Sequence, residues 1–254
     1  MLIDTHAHIY SEDFLSDIND VIQSALNNNV AKIILPNINS GSIKHLLDLC
    51  DTHSHLCFPL MGLHPTSVGE DYKEELAIVE YWFDKRKFYG VGETGIDLYW
   101  DKTYLRQQQE AFRFQLKIAK AKNLPVIIHL RNSFSEVYKI VEEEQDGSLK
   151  GIFHCFSGNA EEARRVTNLG FMLGIGGVVT FKQNTMANVV KSTDISNIVL
   201  ETDAPYLAPV PKRGKRNESS YLIYIAQKVA EIYGITTDEV AKITTANARK
   251  LFDI

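Results

Sequence analysis

What this chain lacks narrows its class before any motif is read. No apolar run approaches the roughly 20 residues that a membrane-spanning helix requires, and the first residues offer no basic stretch leading into an apolar segment. A soluble, cytoplasmic protein with no membrane partner is the expectation. Cysteine is scarce: Cys50, Cys57 and Cys155 make no CxxC pair and leave an odd thiol. That excludes a disulfide framework and suits a reducing compartment. Cys155 adjoins His154, but a buried strand cysteine is a better reading of it than a nucleophile. Excess positive charge is missing too. With 27 basic and 32 acidic side chains the net charge is −5, so the protein cannot coat a polyanion through its overall field and must grip it locally. No GxSxG nucleophile elbow is present. The glycine-rich "GVGETGID" lacks the lysine and hydroxyl residue of a phosphate loop.

What is there is a rhythm. Eight short apolar runs recur: "LIDTHAHI", "AKIILPNI", "LCFPLMGLHP", "FYGVGETGID", "PVIIHL", "KGIFHCF", "GFMLGIGG" and "NIVLETDAP". Each is followed by a more polar segment with helical spacing. Continuous apolarity marks strands buried on both faces, as in a parallel sheet. In "RQQQEAFRFQLKIAKAKN", Phe112, Leu116 and Ala119 share one face and Asn123 can end the helix. Eight strand–helix units in 254 residues fit a (β/α)₈ TIM barrel, an α/β fold, read as one domain over 1–254. Two closing helices follow, the second capped by Thr237 or Asp238 with Glu239 in its first turn.

Such barrels carry their chemistry at the C-terminal ends of the strands. Ionisable residues interrupt six of the eight runs there: His6 and His8, His64, Glu93 and Asp97, His129, His154, and Glu201 and Asp203. Strand residues two apart point the same way, so His6 with His8 and Glu201 with Asp203 are convergent pairs. Imidazole and carboxylate together suit zinc, manganese or similar divalent ions, and more than four candidate ligands suggest two metals sharing a carboxylate. Two-metal sites commonly hydrolyse phosphorus esters with an activated water. A single histidine at a strand end is more often a hydrogen-bonded rim residue. So many desolvated polar groups on one face, however, need something to satisfy them. His45, His53 and His55 lie in helical or connecting sequence and are read as ordinary surface residues.

The one concentrated basic stretch, "KRGKR" from Lys212 to Arg216, would usually be a solvated loop. Its place directly after the eighth strand, where barrels bind phosphate, makes Arg213 and Arg216 candidate phosphate clamps. In "DLYWD", Tyr99 and Trp100 could stack unpaired bases, although an aromatic pair after a strand is as often rim packing.

In this order, "IDTHAH", "GLHP", "GETGID", "IIHLR", "HCFSG", "ETDAPYL", "RGKRNE" and "TTANARKLF" resemble the TatD family of metal-dependent deoxyribonucleases, within the amidohydrolase-like barrels. The resemblance spans nearly the whole chain. It implies that His6, His8 and Asp203 hold one divalent ion (zinc, magnesium or manganese), that His129 and His154 hold a second, and that Glu93 bridges them. It places Glu201 behind the ligands or on bound water, His64 and Arg131 on the substrate phosphate, and Asp203 as proton acceptor for the water. The implied activity is phosphodiester hydrolysis as an exonuclease on single-stranded DNA. Two other readings stay open: the same centre turning over a small ester or phosphate ester, and a non-catalytic scaffold for nucleic acid or protein. One departure is visible. Family members often read "RNEP" where this chain has "RNES", with Ser219 in place of the proline. No lysine stands at position 93, which disfavours a carbamylated-lysine bridge.

Overall fold

In a computed structural model describing residues 1–182 and 185–254, eight parallel strands alternate with helices. The strands are β1 (Leu2–Asp4), β2 (Val30–Leu35), β3 (Cys57–Pro59), β4 (Val91–Asp97), β5 (Val126–Arg131), β6 (Gly151–Phe153), β7 (Met172–Ile175) and β8 (Ile198–Leu200). Hydrogen-bonded ladders divide them into a three-stranded sheet, β1-β2-β3, and a five-stranded sheet, β4 through β8 in order. Isolated bridges, Met61 with Val91 and Ala7 with Ala204, join the two at both seams. The sequential order is that of a (β/α)₈ barrel.

Both faces of the strands are buried, as their continuous apolarity predicts, and this produces two distinct hydrophobic clusters. The larger lies where the outer helices pack on the sheet. The smaller draws Ile3, Ile34, Phe58, Ile127, Ile152 and Val199 from six strands, with Leu60 just past β3, and is covered by Ala248, Leu251 and Phe252 of the last helix, α9 (Thr237–Phe252). Alternation along a strand gives that cluster its meaning. Ile127, Ile152 and Val199 stand two residues before His129, His154 and Glu201, so an apolar floor inside the barrel lies beneath a polar layer at its mouth.

Helix ends follow local chemistry. The long helix α4 (Leu105–Lys122) stops at Asn123, which turns left-handed at φ 52° as its position after the last apolar residue suggests. The cap of α9 corrects the expectation of Thr237 or Asp238: Thr236 is the cap, its hydroxyl accepting from the Glu239 amide while the Glu239 carboxylate accepts from the Thr236 amide. A reciprocal box needs its two members three apart, and only Thr236 satisfies that spacing with Glu239. No described helix is long and apolar enough to cross a membrane.

Candidate metal centre

The regular strands are shorter than the apolar runs, and several of the expected residues sit just past the strand ends. β1 stops at Asp4, yet His6 and His8 continue its alternation, and their Nε2 atoms lie 3.0 Å apart. β8 stops at Leu200, and Asp203 adopts a left-handed φ of 58°. His64 lies past β3 as the cap of a short 3₁₀ turn, Pro65–Ser67.

Glu93 is the hub of the cluster. Its Oε2 lies 3.1 Å from His6 Nε2 and 3.4 Å from His8 Nε2. Its Oε1 lies 2.8 Å from His129 Nδ1, 3.1 Å from His154 Nε2 and 3.4 Å from His64 Nε2. Asp203 Oδ1 completes the first side at 3.6 Å from His6 Nε2. His154 also stacks on His6, ring centroids 3.8 Å apart. Five of the six expected ligands therefore gather around the sixth, Glu93. Three groupings bring ligand atoms close enough to share an ion, His6–His8–Asp203, His6–Glu93–His154 and His64–Glu93–His129, and His64 Nε2 lies 3.3 Å from His129 Nδ1.

Three of the histidines are oriented from behind by groups that fix which nitrogen faces Glu93. Tyr10 spends its only proton on the Pro36 carbonyl, 2.5 Å away, so His8 Nδ1, 3.0 Å from that hydroxyl, must be the donor. His8 Nε2 thereby keeps a free lone pair. Asp97 holds His129 Nε2 at 2.9 Å, and Glu201 holds His154 Nδ1 at 3.2 Å while accepting the Cys155 amide at 2.5 Å. Outer partners of this kind fix the ring and tautomer of metal-ligating histidines. His64 is different. The Thr66 amide donates to its Nδ1 at 3.1 Å, so neutral His64 presents an N–H toward Glu93. That tautomer is a donor at the mouth and offers no lone pair there, which fits contact with substrate better than ligation.

Backbone geometry serves the same residues. Gly95, at φ 147°, passes so close to β5 that a Cβ would overlap the His129 carbonyl oxygen; a Cβ at Gly174 would overlap the Glu201 carboxylate. "GETGID" and "GIGG" thus keep glycine where ligand-bearing backbone or a carboxylate needs the space.

The electrostatics divide the cluster. Burial alone would raise the Glu93 carboxyl, but the His6, His154 and His64 imidazoles and the His129 hydrogen bond hold it well below the ordinary carboxylate range. Burial, reinforced by neighbouring His154, keeps His6 neutral. For His154 burial is outweighed by the Glu93 and Glu201 carboxylates, which raise it well above the usual imidazole value. Burial pushes Asp203 up to about 6, against the pull of His154 and His8.

Three residues missed by sequence reasoning hold this arrangement. Asn37 donates its amide to the Gly92 carbonyl and accepts from the Glu93 amide, while its side chain donates to the Gly62 carbonyl at 2.8 Å. Asp4 accepts from both the amide and the hydroxyl of Thr202, at 2.9 and 2.6 Å, tying the β1 end to the β8 end. Tyr10 orients His8. The alternation Asp4, His6, His8, Tyr10 was a signal for two of them.

The expected substrate residues are more scattered. Arg131 is exposed, its guanidinium 3.7 Å over the Tyr99 ring. Arg213 lies 3.9 Å over Phe181 and makes no ion pair with a described residue. Arg216 is committed elsewhere: it makes a two-pronged pair with Asp17, at 2.9 and 2.6 Å, and donates to the Asp13 carbonyl.

A family model described as "TatD related DNase" matches residues 3–253. The chain belongs to this family. It is 38% identical over its whole length to the Bacillus subtilis "Uncharacterized metal-dependent hydrolase YabD", matching all of that protein. It is 28% identical to the human "Deoxyribonuclease TATDN3", with 99% of this chain and 94% of that one covered. Among solved structures, the Escherichia coli TatD homolog YjjV superposes with a TM-score of 0.94 at 28% identity, over 100% of this chain and 98% of that one.

Proposed function

We propose that this TatD-family chain is a divalent-metal-dependent deoxyribonuclease that hydrolyses phosphodiester bonds at single-stranded DNA ends, residues 1–254 forming one hydrolase domain. The observation that carries the reading is the set of inward-facing nitrogens of His6, His8, His129 and His154 gathered within 3.4 Å of the Glu93 carboxylate oxygens.

The donor set fits divalent cations. The buried Nε2 atoms of His6 and His8 lie 3.0 Å apart on the side that faces the Glu93 carboxylate. Crowded imidazoles around one buried carboxylate are costly to leave to themselves, and a divalent cation would take the lone pair that His8 directs inward and displace the inward protons of its neighbours. His6, His8 and Asp203 would hold one ion, His129 and His154 the other, with Glu93 between them. Bound there, such ions would lower the pKa of a water and offset charge developing on the phosphate.

The protein's own groups do the rest. Asp203, partly open to solvent and raised by burial to about 6 before an ion binds, is ionised at neutral pH and placed beside the ion site to take the proton of the attacking water. Glu201 steadies His154. His64 offers its N–H to the phosphate, and Arg131 and Arg213 supply positive charge at the rim. Arg216 instead braces the post-β8 loop against Asp17. Three free cysteines suit a reducing, cytoplasmic setting.

Hydrolysis of end-labelled single-stranded DNA by protein reconstituted with magnesium, manganese or zinc, with a chelator control and a small phosphodiester alongside, tests the reading. Chelator-sensitive loss of terminal nucleotides is the expected result. Turnover of the small ester with the DNA left intact under all three metals would overturn it.

A further inference from the structure

Beside the centre stand two aromatic rings that the chemistry above does not use. Trp100 is 72% exposed and Tyr99 53%, unusual for aromatic side chains with this much apolar area. They are not loose. Both backbone amides donate to Asp97 Oδ1, at 2.9 Å from Tyr99 and 3.4 Å from Trp100, while the other oxygen of the same carboxylate holds His129. The rings meet edge to face with centroids 4.9 Å apart. From β5, Arg131, two residues after His129, lays its guanidinium 3.7 Å over Tyr99 and 5.3 Å from the Trp100 ring. A cleft of about 250 Å³ separates Trp100 from the turn that follows His64, with Thr66, Tyr104 and Gln108 on its walls.

Resting on the nuclease reading, we propose that Trp100, braced by Tyr99 and Arg131, is a stacking platform for an unpaired nucleobase of the strand bound at the centre. Aromatic faces beside a cation take successive bases of a single strand with little regard to sequence, because every base has a π-face. Arg131 matches the partner twice, once through its plane against aromatic rings and once through its charge toward a phosphate. Because Asp97 anchors both the platform and His129, a base on Trp100 sets its phosphate at a fixed offset from Glu93. A paired base already has stacking neighbours, so the platform favours single strands over duplex.

The test is binding of a nuclease-resistant, fluorescein-labelled phosphorothioate decathymidylate to the metal-loaded protein, followed by anisotropy. Trp100→Ala is expected to raise Kd roughly tenfold to a hundredfold, from the usual worth of a base–aromatic stack. Trp100→Phe should recover most of that loss, and an abasic strand of equal length and charge should bind wild type and Trp100→Ala alike. Kd for decathymidylate that Trp100→Ala leaves within twofold of wild type, or an equal loss on the abasic strand, would overturn the platform. The readout does not depend on cleavage. Tight, Trp100-dependent binding of the phosphorothioate, with unmodified end-labelled single-stranded DNA left intact under all three metals, would leave the platform standing and sink the nuclease reading instead.

Discussion

The two ends of the barrel interior are built from the same strands and do opposite work. At the lower end Ile127, Ile152 and Val199 pack with Leu251 and Phe252; two residues further along the same strands, or just past them, His129 and His154 meet at Glu93, with Glu201 holding His154 from behind. The floor gains stability by shedding water from apolar area. The mouth gives stability up, gathering imidazoles and carboxylates where they must be charged, paired or filled by a cation. Substitutions at the two levels should therefore fail differently.

The largest effect belongs to the mouth. Asp203→Asn is expected to lower kcat by about 10²–10⁴-fold, the usual worth of a positioned proton acceptor, with little change in melting temperature. The same residue gives a pH signature. Its carboxyl, raised to about 6, gains a proton as pH falls through that value, so activity should drop on the acid side. Bound cations favour the ionised form and move that limb lower, and steady-state rates from pH 5 to 8 across metal concentrations would follow it. At the floor, Ile152→Ala should cost about 2–5 kcal/mol in denaturant unfolding while kcat per folded molecule changes far less. Equal losses of rate and stability at both positions would break the contrast.

Gly174→Ala probes the boundary between the levels. The added methyl overlaps the Glu201 carboxylate and must push it from His154 and the Cys155 amide, and metal affinity measured by equilibrium dialysis should weaken by about 10- to 100-fold. The smallest effect lies outside both layers. Ser219 opens a 3₁₀ turn after Glu218, whose extended backbone is what a following proline requires. Ser219→Pro should raise stability by about 0.4–1 kcal/mol with turnover unchanged.

The polar mouth was legible because strand alternation and ligand chemistry are local: "THAH" declares a convergent pair before any fold is known. Eight apolar runs likewise declare eight strands. Less legible was where each strand stops, since pairing, not apolarity, ends β8 at Leu200 and leaves Asp203 in a left-handed turn. Arg216 could not be placed from "KRGKR" because its partner, Asp17, lies 199 positions away. Asn37 carries no motif of its own; its role is set by the backbone of β4, to which it is joined only in the folded chain. The cap of α9 was legible and was misread by one residue, since the spacing to Glu239 selects Thr236.

The covering of the floor has a consequence for the order of assembly. Leu251 and Phe252 lie some fifty positions after Asp203, and the helix that carries them is stitched to the first strand by the Thr245 hydroxyl donating to the Met1 carbonyl at 3.0 Å. A chain growing from its N-terminus thus presents every ligand to the solvent before it can seal the base of the vessel that holds them. Cation uptake that waits for the seal would follow the docking of this helix rather than the appearance of the ligands.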